Sequence, residues 1–209
     1  NGDTLTALAK REEELVGKRG VGVDGVDDHR IRNFVVDTMK TLASSPTPKA
    51  ALEWVGKAGN DPTFKDREDD LKQISTGGLA RLPGQLMLQN GGDAKATVSE
   101  LNDIYNGLRG VPVLKEDLAH VPEYLDAMKK LVENPKDETL YNLVKNDATA
   151  SELSPLRRAL AAGGLAFNLV NATQTDSDLQ RYQSLLAASK DGLTIFTSAV
   201  GALNDAGRL

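Results

Sequence analysis

The feature that most constrains the fold is an uncharged stretch of 17 residues, 159–175, with the sequence ALAAGGLAFNLVNATQT. A second apolar stretch, residues 193–203 (LTIFTSAVGAL), follows it. A membrane-spanning helix needs about 20 mostly apolar residues. Because Gly163 and Gly164 interrupt the first stretch and polar side chains dilute its end, it does not match such a span. Two interpretations stay open: a helix buried inside the protein, and a helix that faces a partner.

The composition favours helices over strands. Apolar residues make up 40% of the 209 residues, which is enough to fill a core, but aromatic residues make up only 4%. A core built from leucine, valine, alanine and isoleucine suits helix-on-helix packing better than an aromatic-rich β-sandwich. No long segment alternates apolar and polar residues with period two, so we predict no strands.

Apolar residues at helical spacing recur along the chain between clear start and stop signals. The clearest series starts at Asp27 or Asp28, and its members are Ile31, Phe34, Val35, Thr38 and Leu42. Prolines mark further starts, since proline is tolerated in the first turn of a helix. We therefore predict an all-α fold, a multi-helix bundle of about nine to ten short helices.

Several local boundaries are predicted with it. We expect Gly77-Gly78 to end a helix and Pro83-Gly84 to break the apolar segment that follows. One further helix is expected to begin at Thr97 or Ser99, and another at Thr149 or Ser151.

The chain divides into two parts by composition. Residues 1–25 combine a first helix with a glycine-rich link, and residues 26–209 form the helical domain. Two units within that domain, residues 48–86 and 122–160, share a proline, an asparagine and three leucines at a constant offset, which suggests two related helical modules. The alternative is that helices simply start at prolines and bury leucines.

The charge pattern limits the partners. The net charge of -5 argues against a nucleic-acid-binding surface spread over the domain, because such surfaces concentrate lysine and arginine. Short basic spots at Lys18-Arg19, Lys129-Lys130 and Arg157-Arg158 are either solvated surface or contacts for an anionic partner. The absence of cysteine excludes disulfides and thiolate metal sites. Because the chain starts at Asn1 without methionine, we expect it to be part of a longer protein.

Residues that could carry chemistry are few. The sequence predicts no catalytic residue and no cofactor; His29 and His120 lie far apart and lack a third zinc ligand at helical spacing. Asp24, Asp27 and Asp28 are weak candidates for a calcium site, with helix capping as the alternative.

The same two alternatives, calcium binding and helix capping, apply to residues 90–101, whose pattern is similar to the exit of a degenerate EF-hand. An enzyme with an unrecognised site would have to gather acids from separate helices, such as Asp27, Asp69 and Glu100.

The two apolar stretches supply the candidate interaction residues. They are Leu165, Phe167, Leu169, Val170, Ile195 and Phe196. One interpretation is contact with a lipid surface or a partner helix. The other, which we favour, is that the two stretches pack on one another as an antiparallel pair of helices, with small residues allowing close approach.

One segment carries a resemblance to a known family. Residues 121–147 (VPEYLDAMKKLVENPKDETLYNLVKND), followed by ASEL at residues 150–153, resemble the repeated helical units of HrpF-, NolX- and HrpK-type proteins. The segments KEDL (residues 115–118) and TVSEL (residues 97–101) have the same character, and the resemblance covers about residues 26–175. These proteins are type III secretion translocators or helpers of plant-associated bacteria.

The resemblance implies a secreted, mostly helical protein that is cytoplasmic before export and acts at the host membrane. Its partners would be proteins, either secretion or host components, and membrane contact would come from regions outside this chain. Three functions are thus expected in order: a non-catalytic translocon or helper domain assisting effector delivery, a non-enzymatic effector or adaptor that binds a host protein through a helical face, and a helical enzyme with an unrecognised site.

Overall fold

Prolines open most of the helices. Proline fixes its own φ near the helical value and has no N–H, so it fits the first turn, where that N–H has no partner within the helix. The prolines found at the first or second helical position are Pro48, Pro62, Pro83, Pro112, Pro122 and Pro155. The proline start signals in the sequence therefore coincide with helix starts.

The structure, a computed structural model, describes residues 7, 24–45, 47–172 and 180–184, and for residues 24–28 the backbone alone. This part of the chain contains helices and turns and no strand, which confirms the predicted all-α bundle. Its long elements are α1 (Asp24–Ala43), α2 (Pro48–Ala58), α3 (Glu68–Leu79), α4 (Leu82–Gln89), α5 (Ala94–Arg109), α6 (Val121–Glu133), α7 (Thr139–Asp147) and α8 (Pro155–Asn171). Two 3-10 helices, Pro62–Arg67 and Pro112–Leu114, connect α2 to α3 and α5 to α6.

Helix α8 lies at the centre of the bundle. Fourteen of its 17 residues are buried, including every residue of the range 159–171. Its neighbours are α3, α4, α6 and α7, which come from both halves of the chain. A helix that is apolar on all sides has to be surrounded by other elements. The uncharged stretch that dominates the sequence is thus the central element of the core.

Two glycines allow α8 to be surrounded this closely. A Cβ at Gly163 would lie 2.5 Å from the carbonyl oxygen of Leu79, the last residue of α3. A Cβ at Gly164 would lie 2.9 Å from Cγ1 of Val144 on α7. Neither distance is compatible with a normal nonbonded contact. The absence of a side chain at both positions therefore lets α8 approach α3 and α7 more closely than alanine would permit.

Two expected breaks do not occur where the sequence places them. Helix α3 continues through Gly77-Gly78 to Leu79, and Gly78 is buried, with the position of its missing Cβ 2.9 Å from Cγ of Leu52 on α2. Pro83-Gly84, expected to break an apolar segment, lies in the first turn of α4. In both places the helix is stabilised by burial against a neighbour, which outweighs a glycine penalty of about 1 kcal/mol per residue.

The buried face of α1 includes Val35 of the expected stripe but otherwise differs from it. Val35, Val36, Met39 and Ala43 are buried, whereas the Phe34 side chain is 66% exposed. At 100° per residue the four buried positions share one side of the helix and Phe34 falls on the opposite side. The sequence pattern admits both stripes, and packing against α2 and α3 selects the one that excludes Phe34.

The side chains that cap two of the helices also differ from the expected ones. Asp93 caps α5 by accepting a hydrogen bond from the backbone N–H of Ala96, after Gly91 and Gly92 turn the chain with positive φ. Ser154 caps α8 by accepting from the N–H of Arg157. Each helix begins a few residues from the expected cap, because several polar residues in each loop could serve and the turn decides which one reaches the helix.

The proposed modules, residues 48–86 and 122–160, share their first part. Each opens with a proline-led helix, α2 or α6, followed by an asparagine-containing turn. They then diverge, because the first continues through a 3-10 helix into a 12-residue helix and the second continues through a turn into a 9-residue helix. A duplication stays a prediction.

The packing at Gly163 leads to a stability prediction. We expect Gly163→Ala to lower the free energy of unfolding by about 1–3 kcal/mol, since its methyl group has to displace backbone of α3. Gly107→Ala is the matched control: no atom lies within 4 Å of its Cβ position in α5, so alanine should be neutral or stabilising by up to about 1 kcal/mol. Urea unfolding followed by circular dichroism measures both, and equal stability of the two variants would contradict the close approach.

Candidate interaction surface

The candidate residues of the first apolar stretch lie in the core. Leu165, Phe167, Leu169 and Val170 on α8 are each 2% exposed or less. They pack inside the protein, against α3, α4, α6 and α7, and so are not presented to a partner in this structure. Ile195 and Phe196 lie outside the described residues, so the pairing of the two stretches stays a prediction.

Within the described residues, none of the helices is both long enough and apolar enough to cross a lipid bilayer.

A turn near the C-terminus contacts the end of α8. Residues 180–184 are helical, and Tyr182 is buried, with its hydroxyl donating to Oδ1 of Asn168. Its ring lies edge-to-face with that of Tyr141, with centroids 5.4 Å apart, and the guanidinium of Arg181 lies 4.1 Å from the Tyr141 centroid. Sequence reasoning assigned these residues no role, although an asparagine within the apolar stretch was the available signal that a polar partner was needed.

The acidic residues at the start of α1 do not form a loop. Asp24, Asp27 and Asp28 belong by backbone to the first turns of that helix, and their side chains are outside the described part. Among the side chains that the structure does describe, no three potential metal ligands converge. Because the side chains of these three residues lie outside the described part, calcium binding and helix capping both stay predictions.

The residues of the second calcium candidate have other contacts. Asp93 caps α5, and Glu100 accepts a hydrogen bond from Nζ of Lys49 on α2 at 2.6 Å and another from Nδ2 of Asn90 at 3.0 Å. The hydrogen bond from Lys49 holds the pKa of Glu100 below its ordinary value, and Glu100 in turn raises the pKa of Lys49. Glu100 thus connects α5 to α2 through Lys49 and to the turn before α5 through Asn90.

The remaining predicted groups occupy surface settings. His29 is exposed on α1, and Nδ1 of His120 lies 3.5 Å from Oε2 of Glu123 at the start of α6. Asp69 is exposed on α3. Of the basic spots, Arg157 forms an ion pair with Asp147 at 3.4 Å, so it is part of the packing between α7 and α8.

Asp147 also accepts a hydrogen bond from the buried hydroxyl of Tyr124 at 2.9 Å. Burial and this bond together raise the pKa of Tyr124 well above its ordinary value. The hydroxyl of Tyr105 on α5 is likewise buried, and burial raises its pKa, but within the described residues it has no hydrogen-bond partner. Sequence reasoning singled out neither tyrosine.

An open cavity lies between α5 and α6, and we name it the α5–α6 groove. Its volume is about 360 Å³, and its lining residues are Lys95, Val98, Ser99, Asn102, Lys129, Val132 and Glu133. The α5 members are spaced by three, one and three residues, which places them on one side of that helix. Val98, 6% exposed, and the partly buried Val132 form its apolar floor.

The polar side chains of the groove are largely unengaged. Lys95, Ser99 and Asn102 make no side-chain hydrogen bond or ion pair within the described part of the chain. Lys129 lies 3.8 Å from Asp126, and more than half of each side chain is exposed, so this pair adds little stability. The sequence identified Lys129 as part of a basic spot, but the tertiary structure brings Lys95 to the same groove.

The Lys49–Glu100 pair predicts a pH dependence. Because the pKa of Glu100 is lowered in the folded state, its contribution to stability is present above its ordinary value of 4.5 and is lost as the pH falls through the lowered pKa. In Lys49→Gln we expect the pKa of Glu100 to rise toward that value and stability near neutral pH to fall by up to about 1 kcal/mol.

Carboxyl NMR titration measures the pKa, and urea unfolding at several pH values measures the stability. Lys72→Gln, at an exposed position on α3, removes the same charge and should leave the pKa of Glu100 unchanged. An unchanged pKa of Glu100 in Lys49→Gln would contradict the assignment.

The two buried tyrosines predict opposite responses to loss of a hydroxyl. Tyr124→Phe removes a donor from Asp147 and should lower the free energy of unfolding by about 1–2 kcal/mol. Tyr105→Phe removes a buried hydroxyl that lacks a partner in the described residues and should leave stability unchanged or raise it by up to about 1 kcal/mol. Thermal and urea unfolding of both variants measure this, and a comparable loss at Tyr105 would show that its hydroxyl is hydrogen-bonded.

Comparison of the chain with protein-family models, with curated proteins and with solved structures finds no match. The features that bear on function are the resemblance carried by residues 121–147 and the α5–α6 groove.

Proposed function

We propose that this chain is a non-catalytic helical domain of a type III secretion translocon or helper protein, which assists the delivery of effectors into host cells. The observation that supports this most is the form of residues 121–147, the segment that resembles the repeated units of HrpF-, NolX- and HrpK-type proteins. They fold as two helices, α6 and α7, joined by a turn that starts at Asn134. A helical hairpin is the form expected of such a unit.

The hairpin divides into an inner and an outer face. Val121, Tyr124, Leu125, Met128 and Leu131 of α6 are buried, so the inner face holds the hairpin on the bundle. The outer face of α6 contributes side chains to the α5–α6 groove. A domain of this kind acts by binding other proteins, which under this proposal are secretion or host components.

Under this proposal, the protein is made in the bacterial cytoplasm, is exported by type III secretion, and acts at the host membrane or in the host cell. Helix α8 does not supply membrane association in this proposal, since its candidate apolar residues are buried in the bundle.

The test is effector delivery by the producing bacterium after in-frame deletion of residues 24–172. An effector fused to an adenylate cyclase reports delivery as cyclic AMP in host cells. We expect delivery to fall to the level of a secretion-deficient strain, while the same effector still appears in the culture medium. Re-expression of the intact gene should restore delivery, and normal delivery by the deletion strain would overturn the proposal.

The groove favours a second candidate, a secreted effector or adaptor that binds a host protein through a helical face. The groove side chains Lys95, Ser99 and Asn102 make no hydrogen bond or ion pair within the described residues. The same assay separates the two functions. If delivery of other effectors is normal in the deletion strain and a cyclase fusion of this protein itself enters host cells, the adaptor function is supported and the translocon function is not.

A further inference from the structure

We propose that the α5–α6 groove binds an acidic helical segment of a partner protein, one that places an aliphatic side chain between two carboxylates. The inference rests on the protein-binding part of the proposed function and adds the chemistry of the partner.

The shape of the groove suits an aliphatic anchor. Val98 and Val132 form the floor, and about 360 Å³ is close to the lower end of the range for ligand pockets, which is enough for one or two aliphatic side chains. The lining positions on α5 follow the helical repeat, so the groove extends along the helix axis. A helix laid along such a groove presents anchors at the same repeat, which is how amphipathic helices bind apolar grooves.

The charge of the groove favours carboxylates. Lys95 lies on α5 and Lys129 on α6, so each of the two helices that form the groove contributes one ammonium group. Glu133 supplies one opposing charge on α6, so the lining side chains carry a net positive charge, and Asp126, 3.8 Å from Lys129, lies outside the lining. The chain as a whole carries a net charge of -5, so this positive lining distinguishes the groove for an acidic segment. Such local complementarity determines where and in which orientation a partner binds.

The polar side chains of the groove are free to bind. Lys95, Ser99 and Asn102 make no side-chain hydrogen bond or ion pair within the described residues, and the contact of Lys129 with Asp126 is long and exposed. A carboxylate can therefore accept hydrogen bonds from these donors without breaking an existing interaction of the protein. Charge-assisted hydrogen bonds of this type are stronger than neutral ones.

The experiment is a selection of random 12-residue peptides displayed on phage. The bait is the purified 209-residue protein, and peptides that bind the Lys95→Glu/Lys129→Glu variant are removed. We expect the enriched peptides to contain at least two acidic residues on either side of a leucine, isoleucine or valine. A synthetic copy of an enriched peptide should lose about tenfold or more in affinity for the variant, measured by fluorescence polarisation.

The matched control is Lys65→Glu/Lys72→Glu, which makes the same change in net charge at two exposed lysines outside the groove. This control should retain the affinity of the original protein, and circular dichroism should show that all three proteins are folded. Three results would overturn the inference: enrichment of basic or uncharged peptides, equal weakening by both double variants, and no enrichment at all.

The peptide selection is independent of effector delivery. Normal delivery in the deletion strain would remove the translocon function and leave acidic-peptide binding by the groove in place. Conversely, failure of the selection would remove the proposed partner chemistry and leave the delivery result as it stands.

Discussion

The close packing of α8 at Gly163 and Gly164 is the interaction on which the rest of the bundle depends. Because neither residue has a side chain, the end of α3 and the middle of α7 can contact this helix in the same turn. Burial of its leucine, valine and phenylalanine side chains then stabilises the fold, at about 1.5–3 kcal/mol for each large side chain fully removed from water. Helices from both halves of the chain share this one neighbour, and so they form a single core.

Helix α8 carries no charged residue after Arg158, so its polar interactions lie near its two ends. Asn168 and Asn171 lie near its C-terminal end, where Tyr182 donates to the first and the second donates to the carbonyl of Phe167. Ser154 caps its N-terminus, close to the ion pair of Arg157 with Asp147. Buried polar groups need specific partners, and the contacts of Asn168 with Tyr182 and of Arg157 with Asp147 connect α8 to neighbouring segments.

Prediction from sequence succeeded where local chemistry had one outcome. The aliphatic composition and the proline-led starts predict helices, and the structure confirms an all-α bundle. It failed where several local outcomes were equally good. Gly77-Gly78 was expected to end a helix but lies inside one. Phe34 was expected on the buried side of α1, but the packing of that helix leaves its side chain exposed to solvent. The candidate site was predicted only in part, because Lys129 and Lys95 are 34 positions apart and their meeting depends on how α5 and α6 pack.

By itself, the sequence determined that this protein is helical and that its core is aliphatic. It also determined that residues 159–171, which carry no charge, do not form an ordinary amphipathic surface helix. These properties follow from residue types and their spacing, which act over a few residues. The tertiary structure decided that this element is central and that its Leu165, Phe167, Leu169 and Val170 are buried. It also decided that a groove with lysines on both walls forms elsewhere. Those outcomes depend on which helices become neighbours, and that is set by close packing over the whole chain.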